Sequence, residues 1–131
     1  MSAAPDIKEL LIVDNKTLKH ALEVIDTNAQ GVCFVINTEG KLIGILTDGD
    51  IRRSLIKGKS LDSLVKDSMQ TNFTSYKVDA PQSTIQEKLS TVIRHIPLVD
   101  ENNVPVDYAC FSRLHRTPIM QPLLNGNELA Y

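Results

Sequence analysis

The chain has 131 residues, a net charge of −2 and an isoelectric point near 5.9, a balance that excludes the basic face needed to grip nucleic acid or an anionic membrane. Hydrophobic residues make up 42%, aromatics only 5%, and Trp is absent, so the length suits one compact domain or two small fused halves with a core of Ile, Leu and Val. No apolar run approaches the roughly 20 residues that cross a bilayer, and Met1-Ser-Ala-Ala-Pro-Asp6 lacks the basic-then-apolar order of a secretory signal, so a cytoplasmic protein is expected.

In chain order, residues 10–13 read as an apolar connector. Leu18, Ala21, Leu22 and Ile25 recur at helical spacing and predict a helix with Asn15 as its N-cap. A strand follows at 32–36, a turn at Asn37-Thr-Glu-Gly40, and a second strand at 42–46; Asn and Gly suit a hairpin connection. A polar turn at 47–49 leads into a helix starting at about Asp50, with Ile51 and Leu55 on one side. Residues 60–69 read as a short turn of helix and 72–78 as an extended connector, punctuated by Pro81. Ile85, Leu89 and Val92 then make a shorter helical face. A strand at 96–99, a polar turn at 100–103, a strand at 104–110 and a short helix at 112–116 complete the pattern. Pro105 early in its strand predicts an edge position or a bulge.

Residues 17–53 and 84–116 are thus two units of the same order, helix–strand–strand–helix. Their strands align at an offset of 63 (Asn37 with Asp100, Gly44 with Asp107) and their helices at 67 (Leu18 with Ile85). The second unit is shorter by about one helical turn, which keeps its apolar face. Neither unit can bury both faces of a sheet alone, and packing sheet against sheet solves that problem.

At the end of the strand 42–46 a hydroxyl (Thr47), two carboxylates (Asp48, Asp50) and a helix N-terminus meet. Such a place can hold a ligand with phosphate and ribose groups. An Asp accepts from two vicinal sugar hydroxyls, a Thr donates to phosphate, and Arg52 or Arg53 can neutralise an anion. The same residues also read as ordinary helix caps, with Asp50 meeting the dipole and the arginines on a solvated face; capping and binding are compatible. Asp48-x-Asp50 resembles the nucleophile motif of haloacid-dehalogenase-type phosphatases, but no Thr follows in place and no Lys with an acidic pair stands out. Cys33 and Cys110 lie in apolar runs and read as buried, reduced thiols. His20, His95 and His115 share no metal-ligand spacing.

Several of these strings resemble the cystathionine-β-synthase (CBS) domain, in tandem over about residues 7–117. They are Gly44-Ile-Leu-Thr-Asp-Gly-Asp50 after a hairpin, the Val65-Lys-Asp-Ser-Met69 linker, and Ile96-Pro-Leu-Val-Asp100 in the second unit. The resemblance implies an α/β (α+β) fold: two β-α-β-β-α motifs packed pseudo-symmetrically through their sheets as a Bateman module. Residues 1–68 would hold the first motif and 69–117 the second. It implies a regulatory module without catalysis, a homodimer, and an adenosine nucleotide (AMP, ADP or ATP) in a cleft between the halves. By the family pattern Thr47 and Asp50 contact phosphate and ribose, and Gly31, Val32 and Cys33 meet the base through their backbone. Asp48 and Arg53 complete the expected set. In the second unit Cys110 and Arg113 stand where Thr47 and Asp50 stand in the first, so a second ribose site is in doubt.

The segment Arg116-Thr-Pro-Ile-Met-Gln-Pro-Leu-Leu-Asn-Gly-Asn-Glu-Leu-Ala-Tyr131 resembles the opening of pyridoxal-phosphate-dependent sugar aminotransferases of the DegT/DnrJ/EryC1/StrS family. Residues 118–131 are thereby expected to begin a catalytic domain. The Thr47-to-Arg53 string is also similar to CBS pairs attached to sugar-phosphate isomerases and sugar nucleotidyltransferases. A nucleotide sensor for a nucleotide-sugar or surface-sugar enzyme is the reading these resemblances imply. A ligand-free dimerisation scaffold, a nucleotide-sugar sensor and a small phosphohydrolase are its alternatives.

Overall fold

Both hairpins turn on the same side-chain device. The Asn37 Oδ1 accepts the N–H groups of Glu39 (2.9 Å) and Lys41 (3.0 Å). Sixty-three positions later, Asp100 Oδ1 accepts those of Asn102 (2.8 Å) and Val104 (3.0 Å). A short Asx side chain closes each turn on its own backbone. The fourth turn residue then needs the left-handed region: Gly40 has φ +87° and Asn103, at the equivalent place, φ +65°, a conformation Asn tolerates better than most residues.

The computed structural model describes residues 4–114. A 3-10 turn (Ile7–Leu10) precedes β1 (Leu11–Val13), α1 (Leu18–Asn28), β2 (Val32–Ile36), β3 (Leu42–Thr47) and α2 (Asp48–Ile56). After a second 3-10 turn (Val65–Asp67) come β4 (Tyr76–Lys77), α3 (Gln82–Lys88), β5 (Ile96–Val99), β6 (Pro105–Ala109) and α4 (Phe111–Leu114). The strands form two three-stranded sheets, β1-β2-β3 and β4-β5-β6. In each, the first strand is parallel and the third antiparallel to the middle one. Both ladders slip at the same repeat position, between Val35 and Ile36 and between Leu98 and Val99. The expectation for Pro105 holds on both counts: it opens an edge strand and pairs with Val99 beside the slip.

Why β2 is a continuous apolar run follows from its two covered faces. Cys33 and Val35 pack under Leu18, Ala21 and Ile25 of α1 and Ile51 of α2. Val32 and Phe34 point the other way and meet Val99, Tyr108 and Cys110 of the second unit. The Phe34 and Tyr108 rings stand edge to face at 6.1 Å, and the Tyr108 hydroxyl donates to Pro5 O at 2.7 Å. In the second unit Ile85 and Leu89 close over Ile96, Leu98 and Ala109. The two units therefore share one interior.

Three local expectations are corrected. Thr17, not Asn15, caps α1: its Oγ1 accepts the His20 N–H at 3.2 Å. The helix after β3 starts at Asp48, because Thr47 is its cap. Val92 is 88% exposed rather than on a helical face, since α3 ends at Lys88 and the chain turns out on a Ser90 hydroxyl that accepts from Val92 and Ile93. No helix among the described residues is long and apolar enough to cross a membrane.

Gly44 of β3 lies under the inter-unit connector. A Cβ there would stand 2.5 Å from Met69 Sδ and 3.1 Å from Gln70 O, while Ile45 and Gln70 exchange backbone hydrogen bonds of 3.0 and 2.8 Å. Gly44→Ala is expected to cost about 1–3 kcal/mol by overpacking, read as a lower urea midpoint. An unchanged midpoint would mean the connector sits further from β3.

Candidate functional site

At the end of β3 the chain closes a capping box. Thr47 Oγ1 accepts the Asp50 N–H at 3.1 Å and Asp50 Oδ2 accepts the Thr47 N–H at 2.9 Å, which satisfies two donors that a helix start leaves open. Asp50 has further partners. Gln70 Nε2 donates to both of its carboxylate oxygens, at 3.0 Å to Oδ1 and 2.8 Å to Oδ2. Arg53 donates to Oδ1 at 2.9 Å. The Asp50 side chain is only 10% exposed, that of Arg53 64%. Burial pushes the carboxyl pKa up, but the hydrogen bonds from Thr47, Gln70 and Arg53 outweigh it and hold the group below its ordinary 3.8.

Beside this elbow a cavity of about 840 Å³ opens between the units. The C-terminal end of α1 and the loop to β2 form one wall, through Asp26, Gln30, Gly31 and Val32. Ile45, Thr47 and Asp48 form the floor, and residues 72–74 and 92–95 close it from the connector and the second unit. Buried Asn28 holds the first wall in shape. Its Nδ2 donates to Glu9 O and Val32 O (both 3.1 Å) and its Oδ1 accepts from Gln30 N (2.7 Å). Ala29 takes the left-handed conformation that ends α1, and the Asp48 N–H donates to Gly31 O at 3.1 Å, which joins the wall to the start of α2.

Of the residues singled out from sequence, Gly31, Val32, Thr47 and Asp48 line this cavity. Cys33, Asp50 and Arg53 do not. Strand alternation turns Cys33 to the helix side of the sheet. There burial, and after it the Asp50 charge, push its thiol up to about 12, so it stays protonated and unreactive. Asp50 lies behind Gln70, and Arg53 is turned onto Asp50. The Arg113 side chain and the tail from 115 onward lie outside the described residues.

Sequence reading missed Asn28, Gln70 and the 92–95 segment. Asn28 carried a local signal, a polar residue at a helix end three positions before a Gly. Nothing local marks Gln70, which reaches Asp50 only because the connector crosses β3. In the last segment His95 Nε2 lies 3.0 Å from Gln30 Oε1, a bond across the cavity between the two units. Burial, and after it the charge of Arg94, push the His95 pKa down to about 4, so the neutral ring donates its Nε2 proton to Gln30. Arg94 supplies a cation to the lining, Asp26 and Asp48 two carboxylates.

Known proteins bear on this geometry. Residues 6–57 match the CBS domain family. An uncharacterized protein of Helicobacter pylori (strain J99) is 35% identical over 98 residues, covering 71% of this chain and 29% of that protein. The arabinose 5-phosphate isomerase KpsF of Escherichia coli is 40% identical over 55 residues, 42% of this chain and 17% of the enzyme. The chain thus spans under a third of the length of these relatives. Among solved structures, a CBS domain protein of Pyrobaculum aerophilum complexed with AMP superposes with a TM-score of 0.69 at 15% identity, covering 97% of this chain and 95% of that one. By sequence residues 6–57 are a CBS domain, and by fold the two units together form a CBS domain pair.

Proposed function

We propose that this pair is a regulatory module that binds an adenosine nucleotide in the cavity between its units. The observation that carries the reading is the cavity itself. It meets a capped helix start at Thr47, has apolar walls at Val32, Ile45 and Phe73 for a base, and carries a cation at Arg94 for a phosphate. The AMP held by the Pyrobaculum protein supports the ligand class. Thr47 and Arg94 would hold phosphate, Asp50 the ribose diol, and the backbone at Gly31 and Val32 the base. Such a ligand bridges both units, so it favours the closed arrangement by its differential affinity and shifts how the module packs on its partners. Those partners are a second copy of the chain and an attached sugar-metabolic enzyme in the cytoplasm. The similarity to KpsF supports a sugar-phosphate context, and the resemblance of residues 118–131 an aminotransferase. The motif boundaries proposed are 1–68 and 69–117.

A ligand-free scaffold is the second reading, favoured by the complete engagement of Asp50 with Thr47, Gln70 and Arg53. Calorimetric titration with AMP, ADP, ATP and a UDP- or CMP-sugar separates the two. Heat is expected with the adenosine nucleotides, and Arg94→Ala should weaken AMP about tenfold while leaving adenosine unchanged. Silence with every ligand would establish the scaffold. Heat with the nucleotide-sugar alone would make the module a product sensor, and phosphate release would revive the hydrolase.

A further inference from the structure

We infer that the Gln70 side-chain amide is an internal stand-in for a ligand's ribose, and so sets the affinity and the sugar selectivity of the cleft. The inference rests on the nucleotide reading above and adds to it a residue that competes with the ligand.

The geometry is specific. A single Nε2 donates to both Asp50 oxygens, at 3.0 and 2.8 Å. A ribose 2′,3′-diol would make the same two bonds, since each hydroxyl has one proton to give. Thr47 and Arg53 take further lone-pair positions on the same carboxylate, so little remains for a sugar while Gln70 stays. The carboxylate is also nearly buried, and Gln70 lines the cavity while Asp50 does not.

Gln70 can leave without unfolding anything. Its position is fixed by the backbone, through the paired bonds to Ile45, while the residue as a whole is exposed. Rotation about its side-chain torsions carries the amide into water, where it keeps hydrogen-bond partners. The site is therefore an equilibrium between a latched form, with Asp50 satisfied internally, and an open form that accepts a diol. Apparent affinity for any ligand that needs Asp50 is lowered by the fraction that is open. A ligand without the diol does not need the latch to open and escapes that reduction.

The test uses the full chain with Gln70→Ala and Gln70→Met, both of which keep the backbone pairing and remove the donor. Affinities for AMP and for 2′,3′-dideoxy-AMP are measured by calorimetry on wild type and variants. AMP is expected to bind both variants about tenfold more tightly, the scale of one charge-assisted hydrogen bond. Dideoxy-AMP should change less than twofold or stay undetected throughout. AMP binding seen only in the variants supports the inference equally, since the latch then hides the site in the wild type. Wild-type binding with no gain in the variants overturns the inference and leaves the nucleotide reading standing. An equal gain for both ligands also overturns it, because Gln70 would then merely fill space. Binding by none of the proteins removes the nucleotide reading, and the inference with it.

Discussion

Phe34→Ala is expected to lower the stability of the whole chain by about 3–5 kcal/mol, a large part of the roughly 5–15 kcal/mol typical of a domain. The ring is fully buried and sits where the two sheets face each other, edge to face with Tyr108 and among Val32, Leu42 and Val99. Truncation removes the contacts of both sheets at once, and neither sheet can collapse into the void without tilting against its own helices. The loss should appear in one cooperative urea transition that reports on both units, because the shared interior couples them. Val106→Ala, on a side chain that is 41% exposed, serves as the control and should stay within about 0.5 kcal/mol. Two resolved transitions, with only the first displaced by Phe34→Ala, would mean that the units fold independently.

Legibility from the sequence followed the physical range of each signal. The two hairpins were readable because each is closed by its own Asx side chain and a residue that tolerates positive φ, all within five positions. Pro105 was readable because a missing N–H restricts a strand wherever it occurs. The elbow at Thr47 was readable for the same local reason, and its residue types alone allow two compatible roles, cap and ligand contact. The partners of Asp50 were not readable. Gln70 lies twenty positions away, and it arrives only because Gly44 lets the connector lie against β3. The side chain of Cys33 shows a different limit. Neighbouring strand residues face opposite sides, so Cys33 turns its thiol to the helices while the backbone contact expected of Gly31, Val32 and Cys33 is a separate matter. Val92 shows the converse limit: apolar spacing predicted a helical face, but a Ser hydroxyl ended the order after Lys88. Short helices are decided by such competing local bonds more than by periodicity.

Asp50→Ala should separate the structural role of this carboxylate from its binding role, and pH is the variable that does it. Removing it leaves the Thr47 N–H without its cap partner and releases Gln70 and Arg53 to solvent. A cost of about 2–3 kcal/mol is expected at neutral pH, together with a fall in AMP affinity of about thirtyfold. The folded-state pKa lies below the ordinary 3.8, so the unfolded chain takes up this proton first as pH drops. The contribution of Asp50 is therefore complete above about pH 4 and is lost as pH falls through the folded value. His95 also titrates in acid, with its pKa lowered from 6.5 to about 4. The unfolded chain binds that proton first too, so the His95 contribution is complete above about pH 6.5 and declines toward pH 4. Wild type and Asp50→Ala share the His95 decline. Their difference in stability should thus stay flat from about pH 7 to about 4 and close only below that. A difference that shrinks between about pH 6 and 5 would place the lost interaction on His95 and its bond to Gln30 instead. A difference near zero at every pH would mean that the capping box and the Gln70 contact add nothing net, and the carboxylate would then be kept for a ligand alone.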